Sequence, residues 1–278
     1  MRSTRLLAFV CCAFAACGPN RTYPDRATYQ PAATTALSCV PNLDGTIEAS
    51  ELQTAFDLPV TYLVNPVGTT RAVSIPGSTT TAGKQLWDLS TDYADDQAAK
   101  LTATHLTGKW YASSFPTAQF ASPLDLGGTT DGVYTNDGTK LLLLGYASAT
   151  ENPPSGKTLV VYTAPVAIFE FPLTVGKQWV SVGEVRNATL RGLPFAGRDT
   201  YQVKVDAAGE LDLPDLTFTQ ALRVRTTATI EPSVGNVITR RQVGWVFECF
   251  GEVARATAKD NETADDFTTA AELRRLGF

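Results

Sequence analysis

The residues that come nearest to a chemical site lie just after Cys39. In Pro41-Asn42-Leu43-Asp44-Gly45-Thr46-Ile47-Glu48-Ala49-Ser50-Glu51, the side chains of Asn42, Asp44, Thr46, Glu48 and Glu51 offer amide, hydroxyl and carboxylate oxygens at spacings that would converge on a hard cation such as calcium. Gly45 supplies the sharp turn such a loop needs. Val40 stands where the first carboxylate of the loop would fall, and no apolar helix precedes it. The same residues also suit an Asp-Gly turn followed by a short helix over 49–56, with Glu48 or Ser50 near its N-terminus. Both readings stay open, a bare turn and a weak calcium site.

Other chemistry is sparse. His105 is the single histidine, so a multi-histidine metal centre is excluded, and within 101–106 alternation makes it an ordinary strand residue. Asp92, Asp95 and Asp96 cluster in 91–100, which reads as a loop or one helical turn whose acids face solvent. The chain has no GxSxG, HExxH, GxGxxG or P-loop pattern. The expectation is therefore a protein that is not an enzyme, the alternative being a hydrolase that pairs two carboxylates. Trp87, Trp110, Trp179 and Trp245 suit a carbohydrate-stacking face or a core, and the apolar patterns around Trp179 and Trp245 favour the core. A formal net charge of −5, more acidic once Arg2 and Arg5 leave with a leader, argues against nucleic acid as a partner.

Those two arginines precede the apolar run 6–16, a signal peptide too short to span a bilayer as a permanent helix. The run enters Phe14-Ala15-Ala16-Cys17-Gly18, which resembles the lipobox of bacterial lipoproteins. That resemblance implies that residues 1–16 are removed, that acyl chains such as palmitate anchor Cys17, and that the protein sits in the cell envelope, with Gly18 favouring the outer membrane over the inner. Residues 17–38 then read as the lipidated cysteine and a flexible tether. Cys11 and Cys12 go with the leader and Cys17 takes lipid, so Cys39 and Cys249 remain, and in an exported protein they pair as a disulfide. The 42–51 segment resembles an EF-hand calcium loop at seven of its positions, the missing first acid apart.

The elements that must position these residues are strands. The densest apolar stretch, KTLVVYTAPVAIFEFPLTVGKQW over 157–179, reads as two adjacent buried strands, 159–162 and 166–171, at the centre of a sheet. Strands are expected at 60–64 and 71–75, and a hairpin turns through Asn136-Asp137-Gly138. Tyr201, Val203 and Val205 alternate with Gln202, Lys204 and Asp206, as Leu222 and Val224 do with Arg223 and Arg225. In 243–249 the odd positions are the large apolar ones, which puts Cys249 on the Trp245 and Phe247 face. A last hairpin pairs 251–258 with 267–276. Short strand spacing, frequent glycine and proline turns and the absence of long helical periods give an all-β fold. The expected fold is an antiparallel, strongly curved sheet forming a half-barrel or barrel with at most one or two short helices. Residues 39–278 read as one domain, with a sub-boundary near 150–157 as the alternative.

Phe171-Pro172-Leu173-Thr174-Val175-Gly176-Lys177-Gln178-Trp179, the alternating strand at 201–206, the basic strand at 221–227 and Gly251-Glu252-Val253 together resemble uncharacterised bacterial lipoproteins with LolA/LolB-like half-barrels. The resemblance covers 157–258. It implies a curved sheet around an apolar cavity, and carries no catalytic residues. The functional expectation is a non-catalytic, lipid-anchored envelope protein that binds an apolar or lipid-like ligand. The alternative is a structural or adaptor lipoprotein with a filled core that binds an envelope protein or glycan.

Overall fold

Alternation at period two runs through almost every segment of this chain, and the result is a sheet that curls until its two edges meet. The computed structural model describes residues 39–277, so the leader, Cys17 and the tether lie outside the described residues. In chain order the strands are β1 Pro59–Val64, β2 Arg71–Ala72, β3 Ser78–Thr79, β4 Gln85–Asp88, β5 Gln97–Thr102, β6 Phe120–Pro123, β7 Thr130–Asn136 and β8 Lys140–Ser148. They continue with β9 Leu159–Glu170, β10 Gln178–Leu190, β11 Leu193–Asp212, β12 Thr217–Pro232, β13 Ile238–Phe247, β14 Gly251–Thr257, β15 Thr269–Ala270 and β16 Glu272–Leu276.

Strands β6 to β14 pair with their sequence neighbours, β14 pairs with β16, β16 with β1 and β1 with β5, all antiparallel. Twelve strands thus form one nearly closed up-and-down barrel. The edges β5 and β6 meet where Thr104 and Ala121 exchange two backbone hydrogen bonds of 2.8 and 2.9 Å. Full closure of a meander would remove its edges, and here a single bridge brings β5 and β6 together without a ladder between them.

Alternation then sorts side chains into clusters on the two faces of the sheet. Outward residues of β12 to β16, among them Val243, Trp245 and Leu273, pack under the excursion that carries β2 to β4, where Trp87 meets Trp245 edge to face at 6.1 Å. Trp87 donates its indole N–H to the Ile75 carbonyl at 3.1 Å, and Arg223 Nη1 donates to the same oxygen at 2.6 Å. Only Arg71–Ala72 of the expected 71–75 strand forms, because the chain turns at Ser74, whose carbonyl accepts from Gly77 N–H, and the Ile75 carbonyl serves side chains.

On the inward side, Leu143, Val160, Tyr162, Val166 and Val185 pack along β8 to β10, and a second cluster closes one end. There Phe171, Leu173, Trp179, Val205, Leu222 and Val246 close around Ile47, which the N-terminal segment inserts as a floor. Ile47 exchanges backbone hydrogen bonds of 3.0 and 2.8 Å with Leu173. The Cys39–Cys249 disulfide, with Cα atoms 5.5 Å apart, ties the start of that segment to the β13–β14 turn. Glu248 adds to this tie, accepting from the Asn42 and Leu43 N–H groups at 2.6 and 2.9 Å.

Several sequence expectations change in detail. The two strands expected at 159–162 and 166–171 are one strand, β9, in which Thr163, Ala164 and Pro165 face outward while register shifts against β8 absorb the irregularity. Pro165 lacks an N–H, and such a bulge is where a barrel strand tolerates it. The helix expected over 49–56 is a single 3-10 turn at Ala49–Glu51, because the chain then extends so that Phe56 can bridge Ala103. Cys249 lies in the turn beyond β13 at a φ of 65°, off the Trp245 and Phe247 face. His105 falls outside β5, past the Thr104 bridge.

Candidate functional site: the barrel interior

A barrel of this many strands is too wide for its inward side chains to meet across the axis unless they are large. Here the inner wall of β12 and β13 carries Thr226, Ala228 and Gly244, and a cavity of about 640 Å³ remains above the floor. Its apolar wall is formed by Leu143, Ile168, Val203, Val224 and Val246. Tyr134, Tyr146 and Tyr201 add phenol surfaces, and Asp199, Glu252 and Arg255 place charge within the same space. The rim at the far end from Ile47 includes Asp125, Arg191 and Arg240.

The two charged sites of the wall are built differently. On β14, Glu252 and Arg255 form an ion pair at 2.8 Å, and each keeps about a quarter of its side chain exposed, 24% and 26%, at a wall that faces the cavity. Burial works against the Arg255 charge, but the adjacent carboxylate outweighs it and the guanidinium pKa rises above its ordinary value. Tyr62 donates to the Glu252 carbonyl at 2.9 Å. Burial and then the Glu252 charge push its hydroxyl pKa up to about 12. This pair is self-contained and needs no ligand to balance it.

Asp199 on β11 is the other site. The residue is 3% exposed, and its Oδ2 accepts from the Tyr162 hydroxyl at 2.6 Å. Its Oδ1 is buried without any partner. Burial raises the carboxyl pKa, and the Tyr162 hydrogen bond works in the opposite direction without cancelling the shift. Tyr201 is pushed up to about 12, first by burial and then by the Asp199 charge, so the carboxylate and the tyrosines share one environment.

No family model, no curated protein and no solved structure matches the chain. What the site does must therefore be read from its own side chains.

The residues singled out by sequence lie elsewhere. In the 42–51 loop three of the candidate residues turn oxygens to the loop itself: Asn42 Oδ1 accepts from Asp44 N–H, Asp44 Oδ1 from Thr46 N–H, and Glu51 Oε2 from Glu48 N–H, each at 2.8 Å. Glu51 Oε1 accepts from Asn42 Nδ2 at 2.9 Å. Among the described residues no group of three or more His, Cys, Asp and Glu side chains is placed to hold a metal ion. What the loop does is cap the turn that delivers Ile47 to the floor. Asp92, Asp95 and Asp96 do not act together: Asp95 and Asp96 bind Arg71 while Asp92 is exposed. His105 is exposed, stacks on Phe56 with centroids 4.2 Å apart, and takes no part in the cavity. Trp87, Trp179 and Trp245 are core, at 0%, 8% and 0% exposure.

Asp199, Glu252 and Arg255 are the residues that sequence reasoning missed. One signal was present. Asp199 lies two positions before Tyr201 on the face that alternation assigns to the interior, and a charged residue on an apolar face is the pattern to look for.

The Asp199 environment predicts a pH effect on stability. A carboxyl with a folded pKa above its unfolded value lets the folded state bind more protons in the window between the two, so stability falls as pH rises through the folded pKa. Asp199→Asn removes that penalty. The variant is expected to melt a few degrees above the wild-type protein at pH 7, with the gap closing toward pH 4. Thermal melts across that range check it, and a gap independent of pH would show that the buried carboxyl is not the cause.

Proposed function

We propose that the protein is a lipid-anchored, non-catalytic component of the cell envelope, held at the outer membrane through Cys17, whose barrel takes up a small amphipathic molecule. The observation that carries this reading is the cavity of about 640 Å³ above the Ile47 floor, a size within the usual range for small-molecule sites. Its mixed wall supports an apolar body bearing a polar group better than a plain hydrocarbon. Leu143, Ile168, Val203 and Val224 offer contact area, and Asp199, Glu252 and Arg255 offer directional partners. The floor makes the interior a cup with one entrance, so a ligand enters and leaves past Asp125, Arg191 and Arg240.

Native mass spectrometry of the protein purified from envelope fractions tests this. An added mass that denaturation releases as a small molecule is expected. Thr226→Trp, which projects an indole into the cavity from a half-buried position, should lower that occupancy at least tenfold while leaving the melting temperature within a few degrees. A bare mass in the wild-type protein would overturn the reading and favour an adaptor that works through its surface.

A further inference from the structure

Asp199 differs from the other buried acids of this protein in what it lacks. Asp131 holds Lys109 at 3.0 Å and the Tyr111 hydroxyl at 2.6 Å. Asp96 holds Arg71 and Arg275. Asp206 holds Arg223 at 2.7 Å and Arg225 at 2.5 Å. Glu248 accepts from two backbone N–H groups. Among the described residues Asp199 has neither a cationic partner nor a backbone donor, only the Tyr162 hydroxyl on Oδ2. Its Oδ1 is buried and accepts no hydrogen bond.

A buried carboxylate without a partner is costly to keep, and the remedy proteins use is a cation or a set of donors. The cation that bears on the flanking Tyr146 and Tyr201 is Arg240, and its Nε is engaged with Asp260 at 3.1 Å. The missing group is therefore not supplied from within the described chain. The surroundings suit one kind of guest. Tyr146 and Tyr162 meet edge to face at 6.3 Å, and with Tyr201 they put phenol rings beside the carboxylate, surfaces that attract an organic cation.

We propose that Asp199, with Tyr146, Tyr162 and Tyr201 around it, is the subsite for a protonated amine carried by the cavity ligand, whose apolar portion lies along Ile168, Val203 and Val224. This rests on the ligand-binding reading above and narrows it to alkylammonium compounds. The ammonium donates to Oδ1 while Tyr162 continues to donate to Oδ2. Oδ1 has no exposed surface of its own, so a covering side chain turns aside when the amine arrives.

The test uses the full-length protein and three probes of one chain length: dodecylamine, dodecanol and dodecanoic acid, with affinities from calorimetry at pH 7. The amine is expected to bind roughly 10- to 100-fold more tightly than the alcohol, the size of one charge-assisted hydrogen bond, and the acid more weakly than either. Asp199→Asn should bring amine affinity down to about that of the alcohol in the same variant, and a melting temperature no lower than the wild-type value separates lost recognition from lost folding. Tyr162→Phe, which retains the ring, should keep most of the preference. Equal binding of the three probes, or an amine preference that survives in Asp199→Asn, overturns the amine subsite while the cavity reading stands. If none of the probes binds and no ligand copurifies, both fall.

Discussion

Asp96→Ala is expected to cost about 3–5 kcal/mol of folding stability, the range for removing one partner from a buried charge network. Asp96 and its arginines are nearly sealed, with side-chain exposures of 6% for Asp96, 9% for Arg71 and 1% for Arg275. Its Oδ1 accepts from Arg71 at 2.8 Å and its Oδ2 from Arg275. Without it Arg71 keeps only Asp95, itself 56% exposed, and Arg275 keeps the carbonyls of Leu89 and Thr91 at 2.7 and 2.5 Å. Both guanidinium groups also lie over the Tyr93 ring, at 4.2 and 5.2 Å, an attraction too small to replace a buried carboxylate. Urea titration should show a lower midpoint with an unchanged slope. Pairing Asp96→Ala with Arg275→Met should recover part of the loss, because the second change removes one stranded charge. A loss below about 1 kcal/mol would mean the network contributes as little as a surface pair.

The position of Asp96 connects this loss to the cavity. It immediately precedes β5, and β5 is joined to β6 by one bridge instead of a ladder. The weakest line of the barrel is therefore held from its ends, and Asp96 fixes one of them. Backbone amides of β5 should lose hydrogen-exchange protection in the variant before those of β11 and β12, whose ladder is the longest in the protein.

Period two was legible wherever one face of a strand meets a core. Tyr201, Val203 and Val205 against Lys204 and Asp206, and Val224 against Arg223 and Arg225, are sorted in the structure as the sequence sorts them. Closure was not legible, because it depends on Thr104 meeting Ala121, one bridge with no composition signal of its own. The role of 42–51 was hidden for a different reason. Asn, Asp and Glu oxygens at alternate positions bind a cation or their own backbone N–H groups with equal fit to the sequence, and the insertion of Ile47 into the floor is visible only in the fold. The charged part of the cavity was the least legible. Glu252 and Arg255 face inward because of a register shift between β13 and β14 near Trp245 and Val246, which no local pattern announces.

Reducing the Cys39–Cys249 bond, or replacing both residues with serine, should lower stability by up to about 5 kcal/mol on the chain-entropy model, since the bond spans a sequence separation of 210. The same change should release the floor. Ordering a segment costs roughly 1–2 kcal/mol per residue. Against that, burying Ile47 contributes about 2–3 kcal/mol, and each hydrogen bond from Asn42, Leu43, Ile47 and Cys249 about 1 kcal/mol. Over a stretch as long as 39–52 the ordering cost exceeds what these contacts return, so the crosslink decides whether Ile47 stays seated. With Ile47 gone, Leu173 and Trp179 face solvent and the cavity opens at both ends. The expected result under reducing conditions is loss of exchange protection at the Ile47 and Leu173 amides, together with at least tenfold faster ligand release. Unchanged protection at both amides, with a stability loss confined to the denaturant midpoint, would show that the disulfide acts on the unfolded chain alone and that the floor holds by its own packing.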